Sequence, residues 1–243
     1  MKVSTGSIAL LMAAFLLCAG GIAGAQTTKA KTSGDPYPLS TCPVSGEKLG
    51  SMGDPIVFQH EGREIRFCCK GCVPKFKAEP GKYLERTDEK IIRQQVAHYP
   101  LDTCMVSGEP LAQDGKPVDR VVGNRLVRFC CKMCVKDFKK DPAKHLKTLD
   151  KAVVKKQSAS YPLTTCPVTG KKLGAMGKPY EMVVANRLIL LCCKGCNRKI
   201  TSNPQKYLAM LDKEKSPKGK GDKPTSRRAR GNKVPSAGER GSE

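Results

Sequence analysis

A repeat of 62 residues constrains this chain more than any other feature. Tyr37-Pro38-Leu39-Ser40-Thr41-Cys42 returns as Tyr99-Pro100-Leu101-Asp102-Thr103-Cys104 and as Tyr161-Pro162-Leu163-Thr164-Thr165-Cys166. Phe67-Cys68-Cys69-Lys70-Gly71-Cys72 returns at the same offset as Phe129-Cys130-Cys131-Lys132-Met133-Cys134 and Leu191-Cys192-Cys193-Lys194-Gly195-Cys196. Between these landmarks the copies align without net insertion or deletion, so one unit is built three times. A unit of roughly 60 residues is marginal on hydrophobic burial alone. Its apolar anchors here are few: Leu39, Val57, Ile65, Phe67, Phe76 and Leu84 in the first copy. Aromatic residues make up 5% of the chain and Trp is absent, which leaves the 13 cysteines as the staple.

Each copy reads as α+β. Cys42-Pro43-Val44-Ser45-Gly46 forms a tight turn. Residues 55–60 and 63–68 read as two short strands joined by Glu61-Gly62, replaced by Gly123-Asn124 and Ala185-Asn186 in the later copies, which are hairpin-turn residues. After Cys72 the pattern becomes helical, and Pro80, Pro142 and Pro204 separate a short helix from a second helical piece. From Glu85 to Val96 a polar, partly helical connector leads to the next copy.

Composition marks the ends. Lys2, the apolar run from Ile8 to Ala19, and Ala23-Gly24-Ala25 before Gln26 read as a cleaved secretory signal peptide over 1–25. The run is short for a bilayer span, and Leu17 is too bulky to precede a lipoprotein cysteine at Cys18. Removing the segment takes Lys2 and Cys18 with it, lowering the formal charge from +22 to +21 and leaving twelve cysteines. The expected location is secreted or periplasmic, with no membrane-crossing segment in the mature chain; the mean hydropathy is −0.40. A linker over 26–36 then precedes modules at 37–98, 99–160 and 161–212. Residues 213–243 carry ten basic and four acidic residues without apolar periodicity and are expected to be a disordered basic tail. In an exported protein with few stacking aromatics, anionic envelope polymers or lipid headgroups suit that charge better than nucleic acid.

Every module repeats a lone cysteine, 25 residues, two adjacent cysteines, two residues and a last cysteine. Thiolates from a turn and from a strand-to-helix handover can converge on one Zn²⁺, or on the softer Cu⁺. Cys68 and Cys72 share a face if the helix has begun at Cys68, whereas Cys69 and Cys72 form a C-x2-C pair. Adjacent strand residues point to opposite faces, which favours three ligands per module and leaves the remaining cysteine as a small core residue. Export supports a competing disulfide framework, Cys42–Cys68 with Cys69–Cys72 or a close variant.

The Cys-Pro-Val-x-Gly turn, the apolar hairpin and the Cys-Cys-Lys-Gly-Cys handover resemble the TRASH/YHS-type metal-binding domains, small modules of metal trafficking, sensing and resistance. The resemblance covers residues 37–84, 99–146 and 161–208, and is looser in the second copy, where Met105 and Met133 replace the Pro and the Gly. It implies a treble-clef-like module of turn, hairpin and helix. It also implies Cys42, Cys68, Cys72, Cys104, Cys130, Cys134, Cys166, Cys192 and Cys196 as ligands. Many relatives carry a second cysteine in the turn, where this chain has Ser45, Ser107 and Thr169. Cys69, Cys131 and Cys193 are the thiols that could compensate.

Other signals are weaker. Met52 and Met176 lie in Met-Gly turns and could join a Cu⁺ site, but the second copy has Asp114 there and ordinary packing is the better reading. His60, His98 and His145 do not recur and read as surface residues. Arg63, Arg125 and Arg187 recur after the hairpin turn and read as solvated strand residues, with screening of thiolate charge as the alternative. No enzyme signature emerges: the chain has no repeated His or carboxylate near a cysteine, no P-loop and no dinucleotide fingerprint. The expectation is an exported binding protein of three metal modules, in buffering, trafficking or resistance. A disulfide-stapled scaffold is the alternative, and a thiol oxidoreductase built on Cys69-Lys70-Gly71-Cys72 is a second.

Overall fold

The computed structural model describes residues 34–112 and 115–215. The expected signal peptide, most of the linker, Asp114 and the tail beyond Lys215 lie outside the described residues. The fold is mixed α+β, with one two-stranded antiparallel hairpin per copy. The hairpins are β1 (Ile56–His60) with β2 (Arg63–Phe67), β3 (Val118–Val122) with β4 (Arg125–Phe129), and β5 (Tyr180–Val184) with β6 (Arg187–Leu191). Their turns put both central residues at positive φ: 49° and 77° at Glu61-Gly62, 51° and 71° at Gly123-Asn124, 51° and 57° at Ala185-Asn186. That is the type I′ geometry whose twist matches a two-residue hairpin.

Helices follow each hairpin. α1 (Cys72–Ala78) and α2 (Pro80–Val96) serve the first copy, α3 (Lys132–Phe138) and α4 (Pro142–Ser158) the second. In the third, a 3-10 turn at Lys194–Cys196 precedes α5 (Asn197–Ser202) and α6 (Pro204–Lys215). Pro80, Pro142 and Pro204 each open the longer helix, where a missing N–H costs nothing. The connector is therefore a full 17-residue helix in α2 and α4, not a partly helical one. α6 also takes the first three residues expected in the tail, since Lys213-Glu214-Lys215 are good helix formers. No helix among the described residues is long and apolar enough to cross a membrane.

Each copy has its own small core. Phe67, Phe76, Ile65 and Cys42 are buried in the first, Phe129, Phe138, Leu126 and Leu149 in the second, Leu191, Ile200, Ile189 and Leu211 in the third. The anchor expected at Val57 is wrong: it pairs with Arg66 on the outward face of the hairpin and is 55% exposed, while Phe58 turns inward.

The copies pack together rather than hanging as beads. α2 packs against β3 and β4, and α4 against β5 and β6. The outer edge of each hairpin, which has no third strand, is capped by side chains. Leu126 N donates to Gln95 Oε1 of α2 at 2.8 Å, while Leu126 O accepts from Asn186 Nδ2 of the next turn at 2.9 Å. One period away, Leu188 N donates to Gln157 Oε1 at 2.9 Å, and Glu64 O accepts from Asn124 Nδ2 at 2.7 Å. The recurring Tyr completes the pattern, its hydroxyl accepting from Arg128 N at Tyr99 and from Leu190 N at Tyr161.

Arg63, Arg125 and Arg187 are not solvated. They pair with Asp88, Asp150 and Asp212 on the connector helices, and their side chains are 12%, 8% and 5% exposed. His98, read as a surface residue, is partly buried, with Nε2 3.0 Å from Arg187 Nη1. His60 and His145 pack edge-on or tilted against Phe76 and Phe138. The third copy returns to the first through Arg66, which recurs as Arg128 but not in the third copy, and through Asp35, which does not recur. Arg66 Nη1 and Nη2 donate to Ser202 O and Thr201 O at the C-terminus of α5, at 2.6 and 2.5 Å, where helix carbonyls lack partners. Asp35 accepts from Ala185 N at 2.6 Å and from both Nε and Nη2 of Arg125.

Candidate metal centres

The turn that carries the first cysteine is built by the backbone. Cys42 N donates to Glu47 O at 2.8 Å and Gly46 N to Cys42 O at 2.9 Å, with Gly46 at φ 78°. The same pair of bonds recurs at Cys104 with Gly108 and at Cys166 with Gly170, at φ 83° and 73°. A side chain with Cβ is strained in this left-handed region, so glycine holds the knuckle. The other thiols follow the last residue of the hairpin, where the strand ends at Phe67, Phe129 or Leu191 and the chain turns into a helix.

This folding gathers three sulfurs per module. Cys42, Cys68 and Cys72 lie with their sulfurs all within 4.8 Å of one another, as do Cys104, Cys130 and Cys134, and Cys166, Cys192 and Cys196. The bend between the adjacent cysteines removes the strand alternation that would have separated them. Cys68 Sγ is 3.7 Å from Cys72 Sγ, Cys130 Sγ 3.6 Å from Cys134 Sγ, and Cys192 Sγ 3.7 Å from Cys196 Sγ. A tetrahedron of thiolates about 2.3 Å from zinc has S···S edges of about 3.8 Å, so the sulfurs already stand near coordination spacing. The remaining cysteine packs against the core at Cys69 and Cys131 but not at the exposed Cys193. Cys69, Cys131 and Cys193 stand beside the triads, 3.7, 3.8 and 3.9 Å from the sulfurs of Cys72, Cys134 and Cys196. Cys69 and Cys131 are half-buried and Cys193 is exposed. All twelve cysteines among the described residues are free thiols.

Ser45, Ser107 and Thr169, in the place of a second turn cysteine, have a role that spacing did not reveal. Their hydroxyls contact the sulfurs of Cys68, Cys130 and Cys192 at 3.3, 3.4 and 3.4 Å. Burial works against ionisation of the turn thiols. It is overcome by hydrogen bonds to the sulfur from the backbone N–H groups and hydroxyls of the turn, and from the backbone of Cys68, Cys130 or Cys192. Cys42 and Cys104 fall to about 7 and Cys166 to about 6. Burial pushes Cys72, Cys134 and Cys196 the other way, up to about 12. Hydrogen bonds from these last residues lower Cys69, Cys131 and Cys193. Each module thus pairs a turn thiol that gives up its proton readily with an inner thiol that holds its own, and a thiophilic cation would displace the inner protons.

The expected packing of Met52 and Met176 does not occur: they are 56% and 64% exposed, as is Met133 at 64%. They stand on turns outside the small cores, which have no apolar surface left to cover them. The chain matches no family model, no curated protein and no solved structure.

Proposed function

We propose that the chain is an exported protein of three treble-clef-like modules of TRASH/YHS type, each holding one Zn²⁺ or Cu⁺ through cysteine thiolates, in metal buffering, trafficking or resistance. The observation that carries this reading is the threefold recurrence of a converged sulfur triad at coordination spacing. Soft thiolates select Zn²⁺ and Cu⁺ over hard cations. Three near-equal sites suit capacity, since catalysis needs one dedicated group with a base and sensing needs an output. The basic tail gives the exported chain a means of holding to anionic envelope components.

The test is metal content and free-thiol count on one sample of the full chain, purified without added metal or chelator. The expected result is three ions per chain, with thiols reacting only after the metal is removed. Cys42→Ser, Cys104→Ser and Cys166→Ser each remove one ion. A chain with neither metal nor free thiols refutes the reading and leaves the disulfide scaffold.

A further inference from the structure

The three centres share a ligand plan but not a cover. In the first module the handover thiol Cys68 is 2% exposed, whereas Cys130 and Cys192 are half-buried. The thiol beside the triad is half-buried at Cys69 and Cys131 but exposed at Cys193. The third handover is a 3-10 turn at Lys194–Cys196 before the α-helix starts, a tighter piece with poorer hydrogen-bond geometry. Cys192 and Cys193 also line an open cleft of about 550 Å³ between Tyr180 and Lys194, and the exposed thioether of Met176 stands at its rim.

One sequence position beside this thiol varies between the modules. The residue before the last cysteine is Gly71, Met133 and Gly195. A Cβ built at Gly71 or Gly195 meets only the sulfur of Cys69 or Cys193, at 3.9 and 3.7 Å, which is ordinary van der Waals contact. Neither glycine has a positive φ. The glycines are therefore not demanded by the backbone, and the second module accepts the long side chain of Met133 at the same place.

We infer that the third centre is the exchange port of the protein, where a soft ion enters and leaves through Cys193 and the Met176 cleft by way of a thiol-bearing donor or acceptor, while the first centre is the closed, retaining one. This rests on the metal-binding reading above. Exchange is a ligand substitution without change of oxidation state: the incoming sulfur takes the position that Cys193 gives up, and its proton passes to Cys193 Sγ.

The experiment uses the full chain loaded with Zn²⁺ to three ions, challenged with glutathione and a chromophoric zinc chelator. Alkylated cysteines are mapped by mass spectrometry as release proceeds. The expected result is one ion per chain released first, with alkylation appearing at Cys193 and Cys192 before any other cysteine. Gly195→Met, which sets a long side chain beside Cys193, slows that first phase about tenfold, the low end of what outer-shell changes do to metal affinity. Met133→Gly speeds release from the second centre. If three ions bind but leave at one common rate, or the third centre is last, the port is refuted and the binding reading stands. If no ion binds, both fall. Alkylation in the wild-type chain needs no variant, so a misfolded Gly195→Met does not decide the outcome.

Discussion

Gln95→Ala tests whether the three modules are one cooperative body. Gln95 is 1% exposed on α2 of the first module, yet it serves the other two. Its Nε2 donates to Asn124 O at 2.9 Å, and its Oε1 accepts from Leu126 N at 2.8 Å and from Asn186 Nδ2 at 3.2 Å. Truncation removes three buried hydrogen bonds of about 1 kcal/mol net each, and leaves the Leu126 amide without its side-chain acceptor and one Asn186 amide hydrogen unpaired, for a total of about 3–5 kcal/mol. Ala is the better helix former, which works against the loss and makes the test conservative. The counterpart Gln157→Ala should cost only about 1–2 kcal/mol, because Gln157 is half-buried and one of its three bonds is long at 3.4 Å. The assay is urea unfolding of the full chain at fixed metal loading, followed by circular dichroism and by fluorescence of the 6 tyrosines. Wild type should unfold in one transition, and Gln95→Ala should shift the whole of it. A loss under about 1 kcal/mol, or a smaller loss than for Gln157→Ala, refutes the edge-capping argument.

Three other outcomes follow from the same contacts. Arg125→Met should destabilise by about 3 kcal/mol because it strands the buried Asp35 carboxylate, whereas Lys140→Gln, which breaks an exposed pair with Asp137, should change unfolding too little to measure. Gly34→Ala should weaken the docking of the N-terminal segment, since its Cβ would lie 2.5 Å from Gly123 Cα and O, while Gly81→Ala in open space on α2 should stabilise by about 0.5 kcal/mol, both read from thermal unfolding. Ultraviolet thiolate absorbance of the metal-free chain should show one early thiolate per module, Cys166 titrating near 6 and Cys42 and Cys104 near 7, with Cys166→Ser deleting the earliest. These depressed thiols contribute stability that is full above the ordinary thiol pKa and is lost as pH falls through about 7 to 6. The raised Cys72, Cys134 and Cys196 act oppositely, costing stability as pH rises past the ordinary value toward about 12.

The repeat made the hairpins, their turn residues and the prolines that divide the helices legible, because each depends on local chemistry repeated three times. Convergence of three cysteines per module was legible for the same reason, and which three was implied by the resemblance. What spacing alone left open was Cys68 against Cys69, since the answer depends on a backbone bend between them. The long-range polar contacts were hidden for a different reason. Arg63 and Asp88 recur together at 62 residues, as do Arg125 with Asp150 and Arg187 with Asp212, so the pairing signal was present. An Arg on a strand with charged neighbours nonetheless reads as solvated until the helix that covers it is in place. The contacts that join the third module to the first were marked instead by departures from the repeat. Glu64 stands where the later copies have Leu126 and Leu188, and Arg66 where the third has Leu190. Glu64 Oε1 holds both Tyr37 N and Arg66 Nε, aiming the guanidinium at α5.

These departures bear on how much of the fold the metal must supply. An isolated module of this size would leave one edge of its hairpin bare and would depend on its ion for stability. In the full chain that edge is met by Gln95, Gln157, Asn124 and Asn186, all from neighbouring copies, and Arg125 also reaches Asp35 ahead of the first copy. The framework that positions the turn and the handover is thus held from outside each sulfur triad. Loss of one ion then removes the cross-link within a module without removing the contacts that align its hairpin and helix. A site framed in this way could lose and regain an ion without refolding of its module. Asp35 and Glu64, which do not recur, together with Arg66 extend the same support to the first and third modules, which would otherwise be the free ends of the array.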